Sequence, residues 1–361
     1  EFSMMREFEI ISRQTTVNFK DENQDIREFS KKFDLDFIVT GGIRASGKRV
    51  RISIELSDAK DDNIIWSNKY DRVLEDIFDL QDEIVRKISI ALLGEIEISS
   101  LQRSKRKPTE NISSYEYLLR GKENHHKFTK EACQEALKNF DKAIEADVNN
   151  AQAYAWKCCT LGQAMFRGFS DQNAEEIFAE AKQNRDKALE LNENDFECHR
   201  MLSAVYLSNH DYVLAEDHGR KAFNMVPNDP RVLSGYGEVL VRTGKVDEGL
   251  ELLNKAYELD PIPQGQSSSD NRVKDLILGY FFAEDYNKVV ELSFDVRVMD
   301  PRAIALILYS RSKLKQDLQI SNEYKILKKE FADTDWPQAV DRFHIQSEDI
   351  KKNLLDFIES V

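Results

Sequence analysis

The run Ala222-Phe-Asn-Met-Val-Pro227 returns 34 residues later as Ala256-Tyr-Glu-Leu-Asp-Pro261. A third run of this kind, Ala188-Leu-Glu-Leu-Asn-Glu193, ends 34 residues before Pro227. Ala143-Ile-Glu-Ala-Asp-Val148 ends 45 residues before Glu193, and Pro301 stands 40 residues after Pro261. Twelve positions ahead of each closing residue sits a small side chain: Ala136, Ala181, Ala215 and Gly249. Two helices can approach closely only where a small residue leaves room. Tyr154, Leu202-Ser203 with Tyr206, and Tyr236-Gly237 with Leu240 supply the matching large, small and large pattern on the preceding helix. A unit of this length is one helical hairpin. It cannot cover its own apolar face, so neighbouring hairpins must stack.

A helix–turn–helix period of 34 residues is the tetratricopeptide signature. The expectation is therefore about five to six tetratricopeptide helix pairs over residues 112–336, closed by a capping helix over 337–361. The sixth pair, near Arg302–Phe331, is degenerate, and Ser347 begins the cap with Glu348 and Asp349 in its first turn. The extra eleven residues of the long second spacing fall near Phe166–Ala174, and the extra six fall at Ile262–Asp270. Both read as insertions accommodated in loops, the second made flexible by Ser267-Ser-Ser269. Stacked hairpins form a groove lined by their first helices. The repeat frame places Glu197, Arg200, Ala204, Arg231, Glu238, Arg242, Lys274 and Phe281 on that lining. Arg and aromatic side chains are favoured at interfaces, and four cations in an otherwise acidic half suit an acidic peptide or a C-terminal carboxylate. The expected partner is a protein or peptide in this groove, and a homo-oligomer is compatible with the same pattern. No Lys/Asn carboxylate-clamp spacing is evident.

Residues 1–100 read differently. Phe8-Glu-Ile-Ile-Ser12 is a strand candidate, and Ile26, Phe29 and Phe33 recur at helical spacing within Asn23–Phe33. Phe37-Ile-Val39 reads as a strand. Val50-Arg-Ile-Ser-Ile-Glu-Leu56 alternates strictly, as a half-buried antiparallel strand does, and Ile64–Tyr70 supplies a third. A long helix is expected from about Leu74 to Ser100, with Ile77, Leu80, Ile84 and Ile88 in its stripe. Gly42-Ile-Arg-Ala-Ser-Gly47-Lys48 matches the opening of a phosphate-binding loop. A working loop needs Ser or Thr next and a helix behind it. Here Arg49 and a strand follow, so the segment is expected to be a hairpin turn with Ser46-Gly47 at its tip.

Phe37-Ile-Val-Thr-Gly-Gly-Ile-Arg44, Lys48-Arg-Val-Arg-Ile52, Leu56-Ser-Asp-Ala59, Ile65-Trp66-Ser-Asn-Lys-Tyr70 and Leu74-Glu-Asp-Ile-Phe-Asp-Leu-Gln-Asp-Glu-Ile84 follow in order. Together they resemble the TolB-like N-terminal-type α/β domain, over residues 3–100. Tyr117-Leu-Leu-Arg-Gly121 and the tail Phe343–Ile358 resemble repeat regions associated with bacterial class III adenylate/guanylate cyclases. The resemblance implies a TolB-like domain standing between a cyclase catalytic domain, or a winged-helix DNA-binding domain, and a tetratricopeptide tail. It further implies a regulatory region whose parent's metal-binding aspartates lie in the catalytic domain, so no catalytic residue carries over to this chain. The sensor half of a winged-helix transcription regulator is the alternative. An outer-membrane-linked assembly factor is a third class, suggested by the TolB-like likeness alone. The family domain usually opens with a further strand and helix, and Glu1-Phe-Ser-Met-Met-Arg6 looks like the end of that helix. The chain is thus expected to begin inside a domain.

Composition narrows the function classes. With 51 Lys+Arg against 65 Asp+Glu, the net charge is −14. That argues against phosphate-backbone binding, so no nucleic-acid partner is expected for this chain. Residues 1–108 hold 19 basic and 21 acidic side chains, which leaves most of the negative charge in the remainder. The basic, Pro-containing stretch Arg103–Asn111 reads as a linker over residues 101–111, between a TolB-like domain at 1–100 and the repeats. Cys133, Cys158, Cys159 and Cys198 lack metal-ligand spacing and read as buried thiols in a reducing, cytoplasmic compartment. His125 and His126 are adjacent and do not chelate together on a helix. No run of 18 apolar residues suits a membrane span. No hydrolase, zinc-protease or dinucleotide motif occurs. The reading is an α+β chain with no expected catalytic, cofactor or metal residues: a small α/β domain followed by an all-α solenoid that binds other proteins.

Overall fold

The computed structural model describes residues 10–12, 15–16, 26–47, 49–59, 63–73, 77–106, 112–261 and 271–361. Two compact units divide between Arg103 and Ser104.

Among its described residues, the elements of the first unit are α1 (Ile26–Phe33), β1 (Phe37–Ser46), β2 (Arg49–Asp58), β3 (Asn63–Val73) and α2 (Ile77–Arg106). The last turn of α2 belongs to the second unit. The strands form an antiparallel sheet in the order β1-β2-β3. Ser46 pairs with Arg49 at the end of the first hairpin. Gly47 lies between them at φ 58°, a left-handed conformation that glycine adopts without strain. The glycine-rich segment is therefore a hairpin and not a phosphate cradle. The strict alternation of β2 puts Ile54 and Leu56 on one face, where they pack with Leu92 and Ile96 of α2. The strand expected at Phe8–Ser12 is not formed at Ile10–Ser12, and Phe8 lies outside the described residues. The segment Glu1–Arg6, the start of the long helix at Leu74, and the loop Ser267–Ser269 also lie outside them. The basic stretch is helical as far as Arg106, with Lys105 Nζ 2.7 Å from Glu123 Oε1.

The second unit is a stack of helical hairpins. Among the described residues there are six: α3 (Ser114–His125) with α4 (Lys130–Ala146), α5 (Ala151–Arg167) with α6 (Ala174–Leu191), α7 (Phe196–Ser208) with α8 (Tyr212–Met225), α9 (Pro230–Arg242) with α10 (Val246–Leu259), α11 (Asn271–Phe282) with α12 (Tyr286–Leu292), and α13 (Pro301–Lys313) with α14 (Asn322–Glu330). Then come α15 (Trp336–Asp341) and α16 (Glu348–Ser360). Each first helix packs on its own second helix and on the first helix of the next hairpin. This is a tetratricopeptide-like solenoid.

Local chemistry sets the helix starts. Ser113 and Glu116 form a reciprocal capping box on α3. Asn150, Asn173, Asp195, Asp211, Asp229, Asp285, Asp300 and Ser347 accept from backbone amides in the first turn of their helices. Each satisfies donors that a helix end leaves open. Pro230 and Pro301 occupy first-turn positions where no amide is needed.

The small residues act at the contact. A Cβ added to Gly249 would stand 2.7 Å from the Gly237 carbonyl oxygen, and one added to Gly237 would stand 2.9 Å from that of Gly249. The two backbones of the fourth hairpin thus touch at these positions. Ala136 and Ala215 are fully buried at the equivalent place. Gly249→Ala should lower the unfolding free energy by roughly 1–3 kcal/mol despite the better helix propensity of Ala, because backbone must move to admit the methyl group. Urea denaturation monitored by far-UV circular dichroism measures this. An unchanged or raised midpoint would show that the helices are not in contact there.

Candidate functional site

The first helices present charged side chains along one row, and these side chains are paired with one another. Glu197 at the start of α7 is 1% exposed. Arg200, one turn on, donates from Nε to Glu197 Oε2 at 2.8 Å and from Nη2 to Oε1 at 2.9 Å. Trp156 of α5 donates from Nε1 to Oε1 at 3.1 Å, and Lys122 Nζ of α3 lies 3.5 Å away. Lys122 and Arg200 also sit over the Trp156 ring, at 5.3 and 5.7 Å from its centroid. One carboxylate therefore ties three successive first helices together. Burial opposes its ionisation, but Arg200 and Lys122 outweigh burial and hold it well below the usual carboxylate range.

Farther along, Arg231 Nη2 meets Asp229 Oδ2 at 2.7 Å, while Asp229 also caps α9. Glu238 receives Arg242 at 3.1 Å and Arg302 of α13 at 2.9 Å. Arg302 also lies 3.6 Å from Asp275 of α11, which accepts from Ser234 Oγ at 2.5 Å. Burial and the neighbouring Glu238 push Asp275 up to about 7, whereas Glu238 is held low against burial by Arg242 and Arg302.

Of the residues expected to line the groove, Glu197, Arg200, Arg231, Glu238 and Arg242 share the row of α7 and α9. Arg200, Arg231 and Glu238 keep 19, 15 and 22% of their side-chain surface exposed. Lys274 is buried and pairs with Asp300 at 2.9 Å. Phe281 is buried among Phe282, Tyr286 and Tyr309. Ala204 has no charge to contribute.

Sequence reasoning missed Lys122, Trp156, Asp275 and Arg302. One signal for Arg302 was available: it follows Pro301 as Arg231 follows Pro230, in the same turn of an equivalent helix. It also missed the turn-containing segment between α15 and α16, in which His344 takes a left-handed φ of 52°. Arg242 Nε donates to the Phe343 carbonyl at 2.9 Å, and the Gln346 amide donates to the Arg242 carbonyl at 3.3 Å. Ile345 between them is fully buried. His344 Nδ1 stands 3.3 Å from His210 Nε2. The row thus already holds one stretch of polypeptide by its main chain.

The chain is similar in part to several known proteins. The model of the HilA/YgeH-like transcriptional regulator family, second domain, matches residues 1–92. A protein of Rhizobium meliloti named "Putative adenylate cyclase 3" is 28% identical over 146 residues, covering 40% of this chain and 25% of that protein. The transcriptional regulator HilA of Salmonella typhimurium is 23% identical over 239 residues, covering 66% of this chain and 42% of HilA. The chain thus spans less than half the length of either relative. Among solved structures, YrrB, described as a tetratricopeptide protein with an unusual peptide-binding site, aligns at a TM-score of 0.32 and 22% identity, over 51% of this chain and 84% of its own. Among the described residues, no helix is long and apolar enough to cross a membrane.

Removing one member of a buried ion pair strands the others. Glu197→Gln should therefore destabilise the chain by about 3–5 kcal/mol, with part recovered in the Glu197→Gln/Lys122→Met double variant. Chemical denaturation of the three proteins checks this, and equal stability of wild type and Glu197→Gln would refute the network.

The buried imidazoles predict a pH dependence. Burial lowers His126 and His218 to about 4 and His344 to about 3. Their folded values lie below the unfolded value near 6.5. The unfolded chain therefore takes up protons first, and stability present above pH ~6.5 is lost as pH falls toward ~4. Each histidine contributes at most about 1.4 kcal/mol per pH unit in that window. Denaturation at pH 7 and pH 5 should show a smaller loss in His218→Gln than in wild type, and an equal loss would rule His218 out.

Proposed function

We propose that this chain is a non-catalytic regulatory and protein-interaction region of a bacterial signalling protein, whose parent resembles a class III adenylate cyclase. The first-helix row of the solenoid captures a protein or peptide partner. The observation that carries this reading is the Arg242 contact with Phe343 and Gln346, in which Arg242 holds a non-helical connecting segment through its backbone. The partly exposed Arg200, Arg231 and Arg302 are each held by a carboxylate, and an acidic peptide would compete with Glu197, Asp229 and Glu238 for them. The TolB-like reading of the first unit and a cytoplasmic location belong to the same proposal, and a homo-oligomer is compatible with it.

The matched family model over residues 1–92 favours a second reading, in which the chain is the sensor or interaction half of a transcription regulator. A catalytic cyclase domain or a winged helix encoded in the same gene decides between them. Both readings share the captured polypeptide.

That shared element is tested with Arg231→Gln/Arg302→Gln. Asp229 keeps its capping role and Glu238 keeps Arg242 in this variant, and its far-UV circular dichroism spectrum must match that of wild type before binding is read, since both substitutions unpair buried carboxylates. On an array of acidic and neutral octapeptides, the wild type should prefer acidic ones, and the double variant should bind them about tenfold more weakly. No preference for acidic peptides, or undiminished capture by the variant, would sink the proposal.

A further inference from the structure

The second hairpin is longer than those that follow. α5 and α6 have 17 and 18 residues, whereas α7 to α10 have 13 or 14. The eleven-residue excess in the repeat spacing therefore goes largely into helix. Four extra residues extend a helix by about 6 Å. The lengthened ends, together with Phe128, the last turn of α7 and the segment Arg342–His344, enclose a cavity of about 240 Å³.

Two small residues show that the space is built by the hairpin itself. Ala136 and Ala215 are fully buried by helix contact, but Ala181, at the equivalent position of the second repeat, lines the cavity. Gly162 also lines it, and a Cβ there would meet nothing within 4 Å.

The cavity is electrically one-sided. Arg167, Lys182, Arg185 and Arg342 line it, and no Asp or Glu does, in a chain of net charge −14. Arg185 is paired with Asp186 at 2.7 Å. Arg167 and Lys182 have no ion pair among the described residues. The Arg167 guanidinium lies 4.8 Å from the centroid of the Phe128 ring. Partial desolvation lowers the Arg167 pKa, and the Arg342 charge lowers it further, so the two cations repel across the space. Burial keeps His125 and His344 neutral near pH 7. It also pushes the Cys158 and Cys159 thiols up to about 12 and 11, so neither is a thiolate. The remaining wall is largely apolar, including Ile177, Phe178 and Val205. One buried acceptor is unsatisfied: Gln163 Oε1 has no hydrogen-bond partner, while Nε2 donates to the His125 carbonyl at 3.3 Å.

We propose that this cavity binds a small organic anion. Arg167, Lys182 and Arg342 hold its carboxylate or phosphate, the apolar wall covers its body, and a donor on the ligand satisfies Gln163 Oε1. The volume lies just below the ~300–1,000 Å³ range of drug-sized clefts, which fits a small ligand and is too small for a folded-in peptide segment. This site is distinct from the polypeptide-holding row, and either can fail without the other.

Isothermal titration calorimetry of the full chain tests it with three probes: phenyl phosphate, 3-phenylpropionate and the neutral 3-phenylpropan-1-ol. At least one anion should bind at one site per chain, at least about tenfold more tightly than the alcohol, and the preferred anion tells phosphate from carboxylate. Arg167→Gln/Lys182→Gln, at two exposed positions, should weaken that binding about tenfold or more. Gly162→Leu should abolish it by filling the space, with the circular dichroism spectrum unchanged. Lys329→Gln, on the last hairpin, should bind as wild type. Absence of saturable heat with both anions, equal affinity for the alcohol, or undiminished binding by Arg167→Gln/Lys182→Gln would each overturn the proposal.

Discussion

A lone helical hairpin leaves one apolar flank in water, and the second unit follows from how that flank is covered. Each hairpin lends its first helix to the next, so burial propagates along the chain by nearest-neighbour contact. The contact is close only where side chains vanish, as Gly237 and Gly249 do. Beyond α14 the described residues form no further hairpin of this period. There the largest apolar cluster gathers α15 and α16 over α11 to α14, with Trp336, Phe343, Ile345, Leu354 and Ile358 buried among them. The last hairpins are thus sealed by helices that do not follow the period.

Burial of charge is the second constraint. Glu197, Lys122, Arg242 and Asp275 are all taken almost wholly out of water. Their desolvation is offset only because each finds several partners in good geometry, and a buried ion pair of this sort is weak evidence for net stability. Its effect is to specify which helices are neighbours: Glu197 accepts from Trp156 on the preceding hairpin, and Glu238 accepts from Arg302 two hairpins later. Arg242 is fixed by Glu238 and donates to the main chain of the non-helical segment Phe343–Gln346. Rigid, pre-paired groups lose little freedom on binding.

The period made the solenoid legible, because a spacing of 34 between Glu193, Pro227 and Pro261 has few physical explanations. The alternation of Val50–Leu56 likewise exposed the central strand, and Arg49 after Lys48 was enough to reject a phosphate loop. The row was half legible. Extending the frame from Glu193 found Glu197, Arg200, Arg231, Glu238 and Arg242. Glu197, Arg242, Phe281 and Lys274 are all buried rather than open to a groove, Phe281 among aromatic rings and Lys274 against Asp300. The long second spacing read as a tolerated insertion, although its residues lengthen two helices and open a cavity.

What the linear order of residues determined is local: which segments are helices or strands, where each is capped, and that the hairpins must stack. These follow from periodicity, capping chemistry and small residues at fixed offsets, all properties of near neighbours in the chain. The tertiary structure alone decided which charges meet and what lies against the row. Arg242 and Phe343 are separated by 101 positions, and no local pattern encodes that pairing. It arises because the helices sealing the last hairpin carry the intervening segment back over the fourth, where a guanidinium already held by a carboxylate is free to donate to its backbone.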